Sequence, residues 1–550
     1  MSNHKNFIEQ IIEEDLNNGF KRKELCFRFP PEPNGYLHIG HVKAITLNFE
    51  LGKKYNAPVN LRFDDTNPVK ENSHFVEEIK NNIKWLGYEW SKICYASDYF
   101  EKLYEWAHYL ILNDKAYVDS QTSEQIATQK GTPTNPGTNS PYRNRPKEES
   151  ARIFTEMREG KHEEGTHVLR AKIKMDSQNM LMRDPVMYRI LFKDHHRTGS
   201  KWCIYPMYDW AHGESDYIEK ISHSLCTLEF KPHRDLYEWF LHQLPKENKI
   251  LPKQREFARL NMSYTIMSKR KLSYLIEKKI VSSWDDPRMP TISGMIKRGY
   301  PPNALINFVK KAGVAKRENI IDVSLMEFYV REELNKTCAR VMVVTDEIKL
   351  VIINYPEDKH EILEATNNPE DESQGKRKMI FSKYLYIERE DFRETANRKF
   401  FRLTIGKEVR LKNAYIIKAE NCIKNEKGEV IEVHCTYDPK SKSGSNSEES
   451  QRKVKGTIHW VDINSSIDVN INEYERLFYK EKPDENDDLI KGVNTNSKKL
   501  IVGKSEHFVS SLQIGQKVQF QRKGYYIVDS NEGGVISFNK TVSLRDGWKK

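Results

Sequence analysis

From Leu25 to Phe29 (LCFRF) apolar and aromatic side chains recur with a period of two, which predicts a strand. Pro30, Pro31, Pro33 and Gly35 break any ladder there and predict a tight loop. From Ile39 the period changes, and Ile39, Val42, Ile45 and Phe49 fall on or near one face of a helix. Residues 58–64 (PVNLRFD) predict a second strand, which ends in the polar cluster Asp64, Asp65, Thr66 and Asn67 followed by Pro68. Strand, helix, strand is a βαβ unit. Its right-handed crossover makes the strands parallel, and ligands of such sheets sit at the carboxyl ends of the strands. The loop at 30–37 and the cluster at 64–67 are both expected at that edge.

Residues 72–116 read as helical, with Phe75, Ile79, Ile83 and Leu86 at helical spacing. The stretch 131–146 (GTPTNPGTNSPYRNRP) is too long and too rich in proline for a simple connection. With strand-like segments at 167–174 and 186–193, it predicts an insertion from about 100 to 200. Lys201 to Trp210 (KWCIYPMYDW) reads as a strand that returns to the sheet, and 223–230 (HSLCTLEF) as another edge of the crevice. After Tyr264 the pattern is mostly helical to about 337. Beyond it short strands dominate, among them VMVVTD, KLVIINY, EVRLKNAYIIKAE, GEVIEVHCTYD, GTIHWVDI, KVQFQRKGYYIV and VISFNKTVSL. Polar tracts separate them, and the Ser/Lys-rich one, PKSKSGSNSEESQRK, is expected to be a mobile loop. The fold class is therefore multidomain, α/β followed by all-β, with one or two antiparallel barrels at the end.

Composition narrows this little. The 550 residues are 31% charged, and no apolar run is long enough for a bilayer. The start, MSNHKNFIEQIIEED, lacks the basic-then-apolar pattern of a signal peptide, so a cytoplasmic protein without a membrane partner is expected. The net charge of +10 is compatible with a polyanionic partner. The seven cysteines contain no C-x-x-C pair, which predicts reduced thiols and no structural zinc.

The chemistry sits at the first loop. His38 and His41 lie in the first turn of the predicted helix, where free N–H groups and a partial positive charge suit a phosphate. Gly40 between them lets a bound group approach the backbone, and the two imidazoles can donate to phosphate oxygens as charge builds there. Asp64 at a strand end can pair with a substrate ammonium; an aspartate before a turn is also an ordinary turn former.

The string PPEPNGYLHIGH resembles the HIGH signature of class I aminoacyl-tRNA synthetases, with flanks similar to those of the glutaminyl/glutamyl branch. About 225 residues later YTIMSKRKL resembles the KMSKS loop of the same enzymes, with Ile266 in place of the first lysine and Lys269 as the working one. The resemblance runs from NFIEQIIEEDL to VSLRDGW. It implies an N-terminal helix and linker over 1–23 and a Rossmann-type catalytic domain over 24–100 and 201–260. It further implies an acceptor-stem-binding insertion over 101–200, a helical subdomain with the MSK loop over 261–337, and two β-barrel anticodon-binding domains over 338–550. The implied reaction joins an amino acid to tRNA through an aminoacyl-adenylate made from ATP, with Mg²⁺ on the phosphates and a monomeric enzyme. Glutamine and its tRNA are the expected substrates, and glutamate is the alternative. By the resemblance, His38, His41 and Lys269 are catalytic. Glu32, Pro33, Asn34, Ile39, Gly40, Val42, Lys43, Ala44, Thr227, Arg259, Leu260, Met267 and Ser268 join those three around ATP. Asp64 and Tyr208 bind the amino acid, with Arg28 behind them, and Arg340, Arg402, Gln519 and Arg522 read the tRNA. Cys226 stands where glutamyl relatives carry arginine, which favours glutamine. A ligase or nucleotidyltransferase that uses His-x-Gly-His without RNA gives the β-rich tail no role. A non-catalytic RNA-binding relative gives none to the intact histidines and lysine.

Overall fold

Asn6 opens the first helix. Its side chain accepts the N–H groups of Ile8 and Glu9, and Glu9 reaches back to the Asn6 N–H, a capping box that starts α1 (Phe7–Asn17). The computed structural model describes residues 5–245, 247–485 and 488–546. The ends of the expected 1–23 and 338–550 segments, including the last two residues of VSLRDGW, lie outside them. The described chain divides into two compact units, residues 5–261 with 309–321, and residues 262–308 with 322–546.

In the first unit the predicted βαβ core forms. β1 (Phe27–Phe29) is wholly buried, α2 (Ile39–Tyr55) crosses over, and β2 (Val59–Phe63) pairs parallel to β1 with Phe27 opposite Val59. The helical reading of 72–116 is corrected. α3 (Ser73–Trp85) stops before Gly87, whose φ of 80° no helix accepts, and β3 (Ile93–Tyr95) then pairs parallel to β2 before α4 (Phe100–Leu112) begins. The insertion follows: β4 (Ala116–Asp119), α5 (Ser123–Gln129), α6 (Lys147–Arg158), β5 (Val168–Ala171), β6 (Val186–Ile190) and β7 (Ile204–Pro206). Its four strands pair antiparallel in chain order.

KWCIYPMYDW does not return to the parallel sheet. Ile204 and Pro206 pair with Ile190 and Tyr188 of β6, and Tyr208 opens a helix, α7 (Tyr208–Ile218), so the insertion runs to Pro206 and the expected boundary at 201 moves with it. The next parallel pair is β8 (His223–Thr227) with β9 (Lys253–Phe257), joined by α8 (Arg234–Gln243). β8 runs beside β1, where Ser222 N–H donates to Cys26 O at 3.0 Å. β1 thus has β2 on one flank and β8 on the other, and the crevice at such a reversal of strand order is where α/β sheets bind ligands. Trp106, Phe154, Tyr188, Trp210 and Phe240 belong to the core that packs the insertion with α4, α7 and α8.

The helical stretch after Tyr264 forms as α9 (Lys269–Glu277), α10 (Ile292–Arg298), α11 (Pro302–Ala312) and α12 (Val323–Thr337). The second unit then builds two seven-stranded sheets. In one the end strands are Ala339–Val341 and Val343–Val344, separated in the chain by Met342 alone; in the other they are Thr457–Ile458 and Trp460–Asp462, separated by His459 alone. Each sheet therefore nearly closes on itself, giving the two expected barrels. Val469, Phe520 and Phe538 fill one, and Leu350, Leu385, Val433 and Trp460 the other. Pairing is mostly antiparallel. Ala339–Val341 with Lys517–Phe520 and Glu347–Ile352 with Val430–Tyr437 are among the parallel exceptions.

KVQFQRKGYYIV and EVRLKNAYIIKAE, read as single strands, are hairpins that turn at Arg522 (φ 68°) and Asn413 (φ 60°). The Ser/Lys-rich tract, expected to be mobile, is fastened by Arg410, which donates to the carbonyls of Ser441 (2.9 Å) and Ser450 (2.7 Å). Among the described residues no helix is long and apolar enough to cross a membrane, and all seven cysteines are unpaired.

Candidate active site

The loop after β1 is tied to the loop after β2. Asp64 N–H donates to Pro31 O (3.1 Å), and Asn72 N–H to Pro33 O (3.0 Å). Pro33 is buried and Glu32 exposed, with the Asn34 amide on the Glu32 carboxylate. His38 caps α2, its Nδ1 accepting Gly40 N–H at 3.1 Å, while His41 Nδ1 accepts His38 N–H at 3.0 Å. Both Nδ1 atoms are acceptors, so each neutral ring carries its proton on Nε2. Burial holds both pKa values down, His38 well below the usual histidine value and His41 at about 4. The helix start thus offers two neutral Nε2–H donors, and its first turn carries no acidic residue.

Ile39 and Val42 anchor α2 in the core, and Ala44 O accepts the Asn48 amide at 2.9 Å. Lys43, expected at the nucleotide, is buried and donates to Ala258 O at 2.7 Å. It fastens α2 just past the end of β9, and burial pushes its amine down to about 8. Beyond that carbonyl Leu260 is buried, while Arg259 is exposed with Glu318 at 3.4 Å. Thr227 ends β8, its hydroxyl on Glu229 at 2.7 Å.

Asp64 sits at the crevice edge, buried, with Arg62 Nε at 2.8 Å and His212 Nδ1 at 3.3 Å. Burial opposes its ionisation, but the Arg62 guanidinium and His212 outweigh that and hold its carboxyl below the usual range. Behind it Asp216 accepts Arg28 Nε (3.1 Å), Arg62 Nη1 (2.7 Å) and Tyr237 OH (2.9 Å). Arg28 also donates to Leu225 O (2.9 Å), Ser224 Oγ (2.5 Å) and His212 Nε2 (3.0 Å). The His212 ring thus lies between the two arginines, with Nε2 on Arg28 and Nδ1 facing both Arg62 Nη2 (3.1 Å) and Asp64. The Tyr208 ring stacks on His212 with centroids 4.9 Å apart. Burial and the nearby Asp64 charge keep its hydroxyl protonated. The Cys226 thiol, pushed up to about 12 by burial, is neutral too.

The remaining expected residues lie in the second unit. Ile266 is buried with Leu272, Leu275 and Phe478, which explains why the first lysine of the KMSKS pattern is absent. Met267 is partly exposed, Ser268 occupies the position before α9 without a side-chain capping bond, and Lys269 is the helix's exposed first residue. Arg340 and Gln519 face each other across a parallel ladder, Arg340 on Asn335 (3.1 Å) and Gln519 on Tyr525 OH (3.1 Å). Arg522 grips the buried Asp391 with both nitrogens (2.5 and 2.6 Å), and Arg402 approaches the same carboxylate at 3.3 Å.

Sequence reasoning missed Arg62, His212, Asp216 and Tyr237. The signal was there: Arg28 and Arg62 are charged residues inside apolar strands, and Tyr208, His212 and Asp216 recur every four residues, one face of a helix. Reading 201–210 as a strand hid that face.

Family models describe residues 24–336 as a catalytic domain of class I tRNA synthetases (E and Q), and residues 338–438 and 457–529 as anticodon-binding domains of the same enzymes. A glutamine–tRNA ligase of Clostridium perfringens is 51% identical over 547 residues, 99% of this chain and 98% of its own. Those of Clostridium kluyveri and Rhodopirellula baltica are 48% and 50% identical, over 100% and 99% of this chain and 98% and 90% of theirs. The chain therefore belongs to the glutamate/glutamine (E and Q) branch of the class I tRNA synthetases.

Proposed function

We propose that this protein ligates L-glutamine to its tRNA through a glutaminyl-adenylate, releasing diphosphate and AMP. The glutamine carboxylate attacks the α-phosphorus of ATP, and a terminal ribose hydroxyl of the tRNA then attacks the activated carbonyl. Displacement at phosphorus needs placement and charge neutralisation rather than a protein nucleophile. The Nε2–H groups of His38 and His41 meet the phosphates, and Lys269 follows the leaving diphosphate. Mg²⁺ would come bound to the ATP phosphates and neutralise their charge there; the first turn of α2, which has no acidic residue, would add no carboxylate ligand to it. Asp64 receives the substrate ammonium. The insertion takes the acceptor end, the β-rich half takes the anticodon, and the enzyme works as a cytoplasmic monomer.

The observation that carries glutamine over glutamate is the state of Arg28. A buried glutamate carboxylate needs a cation. Arg28 is the cation nearest that role, and it is already committed to Asp216, Ser224, Leu225 and His212. Cys226 brings a neutral thiol where a cation would be needed, and the Tyr208 hydroxyl can both accept from and donate to an amide. Charging one tRNA preparation with each amino acid tests this. Glutamine should lead by several orders of magnitude, because an unmatched buried charge discriminates that strongly, and Cys226→Arg should shift preference toward glutamate. A parent that charges glutamate better overturns the reading.

A further inference from the structure

The loop that carries Asp64 is held from two sides. The Asp64 N–H donates to Pro31 in the loop before α2, as described. On the other side stands the connection from β6 to β7 of the insertion. His195 Nε2 there lies 2.8 Å from the carbonyl oxygen of Asp65, the residue after Asp64. The other ring nitrogen, Nδ1, accepts the N–H groups of Arg197 (3.2 Å) and Thr198 (3.3 Å). These acceptances fix the tautomer, so Nε2 carries the proton and donates it to Asp65 O. His195 is 2% exposed, and its backbone closes the turn with Gly199 through bonds of 3.0 and 2.9 Å. The contact is reinforced around it. The Asp65 carboxylate accepts the N–H (2.9 Å) and hydroxyl (2.7 Å) of Ser97, and Arg197 reaches Ser97 Oγ (2.8 Å) and Asp98 (2.7 Å). Arg189 on β6 donates to Asn67 at 3.4 Å.

We propose that His195 is a positioning residue for the amino-acid site. It pins the peptide that follows Asp64 and thereby fixes the carboxylate that receives the substrate ammonium. The proposal rests on that role for Asp64. A displacement of about 1 Å in such a group is enough to weaken a charge-assisted contact substantially. The same ring belongs to a cluster, Asp65, His195 and His196, whose ligand atoms lie within 4.8 Å of one another. A metal there would need a lone pair on His195 Nε2, and the two N–H groups on Nδ1 leave that nitrogen protonated. The cluster is therefore read as a hydrogen-bonded clamp.

Two substitutions separate grip from turn. In His195→Asn the amide oxygen can replace Nδ1 and keep the turn, with no donor at the Nε2 position. In His195→Gln the amide nitrogen falls near Nε2 and restores that donor. Steady-state charging with saturating tRNA should show His195→Asn raising KM for glutamine roughly five- to tenfold, the size of one lost hydrogen bond. KM for ATP and the melting midpoint should stay near the parent's, and His195→Gln should return KM for glutamine most of the way. An unchanged glutamine KM in His195→Asn, an equal rise in both KM values, or stoichiometric zinc in the purified parent would overturn the proposal. Failure of the parent itself to charge glutamine is a separate result, which removes the reading of the whole site.

Discussion

Asp216 gathers three donors, from Arg28, Arg62 and Tyr237, with no solvent access. Burial opposes its charge, but the two guanidiniums prevail and drive its pKa far below the ordinary 3.8. In an unfolded chain the same carboxyl takes up a proton as pH falls through about 4, while the folded one stays ionised. The unfolded state then binds more protons, so the stability Asp216 contributes is complete above about pH 5 and declines as pH falls below its unfolded pKa. Asp216→Asn should cost about 3–5 kcal/mol at pH 7, because it leaves two buried guanidiniums short of a counter-charge. Urea titrations should also show a shallower loss of stability from pH 5 to pH 3 in the variant than in the parent. Parallel slopes would mean that Asp216 does not set the acid limb. The arginines were legible in the sequence as charges within apolar strands. Their acceptor was not, because it comes from a helix 154 residues after Arg62 and 188 after Arg28.

Elements were legible where their apolar period was clear. α2 appears where its apolar spacing put it, beginning at Ile39. β3 has three residues and hides among helices, and α7 begins inside an aromatic-rich stretch that mimics strand alternation. α9 shows a different conflict. Its first turn reads Lys269, Arg270, Lys271, three cations at the positive end of a helix dipole, with no acidic residue among them. Local preference would place acids there, and such departures concentrate at working sites. Ile266, buried two residues before Ser268, anchors the turn without using a charged side chain. Lys269→Ala should therefore lower adenylate formation about 10²–10³-fold, as loss of one transition-state contact does, and leave the melting midpoint unchanged or slightly raised. ATP–diphosphate exchange with tRNA present, beside a thermal melt, reads both quantities. Near-parent exchange would take Lys269 out of the chemistry.

Across the whole molecule the barrels were legible as a strand-rich half. Their closure was not, because it depends on pairs such as Ala339–Val341 with Lys517–Phe520, far apart in sequence. Long-range pairing sets the neighbours of the four residues expected at the tRNA. Arg340 and Gln519 become neighbours through that ladder, while Arg402 and Arg522 meet on Asp391 and Glu390. The two arginines on Asp391 differ. Arg522 holds the buried carboxylate in a two-point grip, whereas Arg402 approaches it through one nitrogen. Arg522→Ala should thus cost stability as well as tRNA use, since it strips the main partner from a buried charge. Arg402→Ala and Arg340→Ala should keep the fold and weaken tRNA use by about 1–3 kcal/mol each, the usual worth of a base-reading contact. Because they act on binding, the loss should fall on KM for tRNA, with kcat at saturating tRNA and KM for glutamine unchanged. A fall in kcat that saturating tRNA does not restore would place the β-rich half in the chemical step and end its assignment to recognition alone.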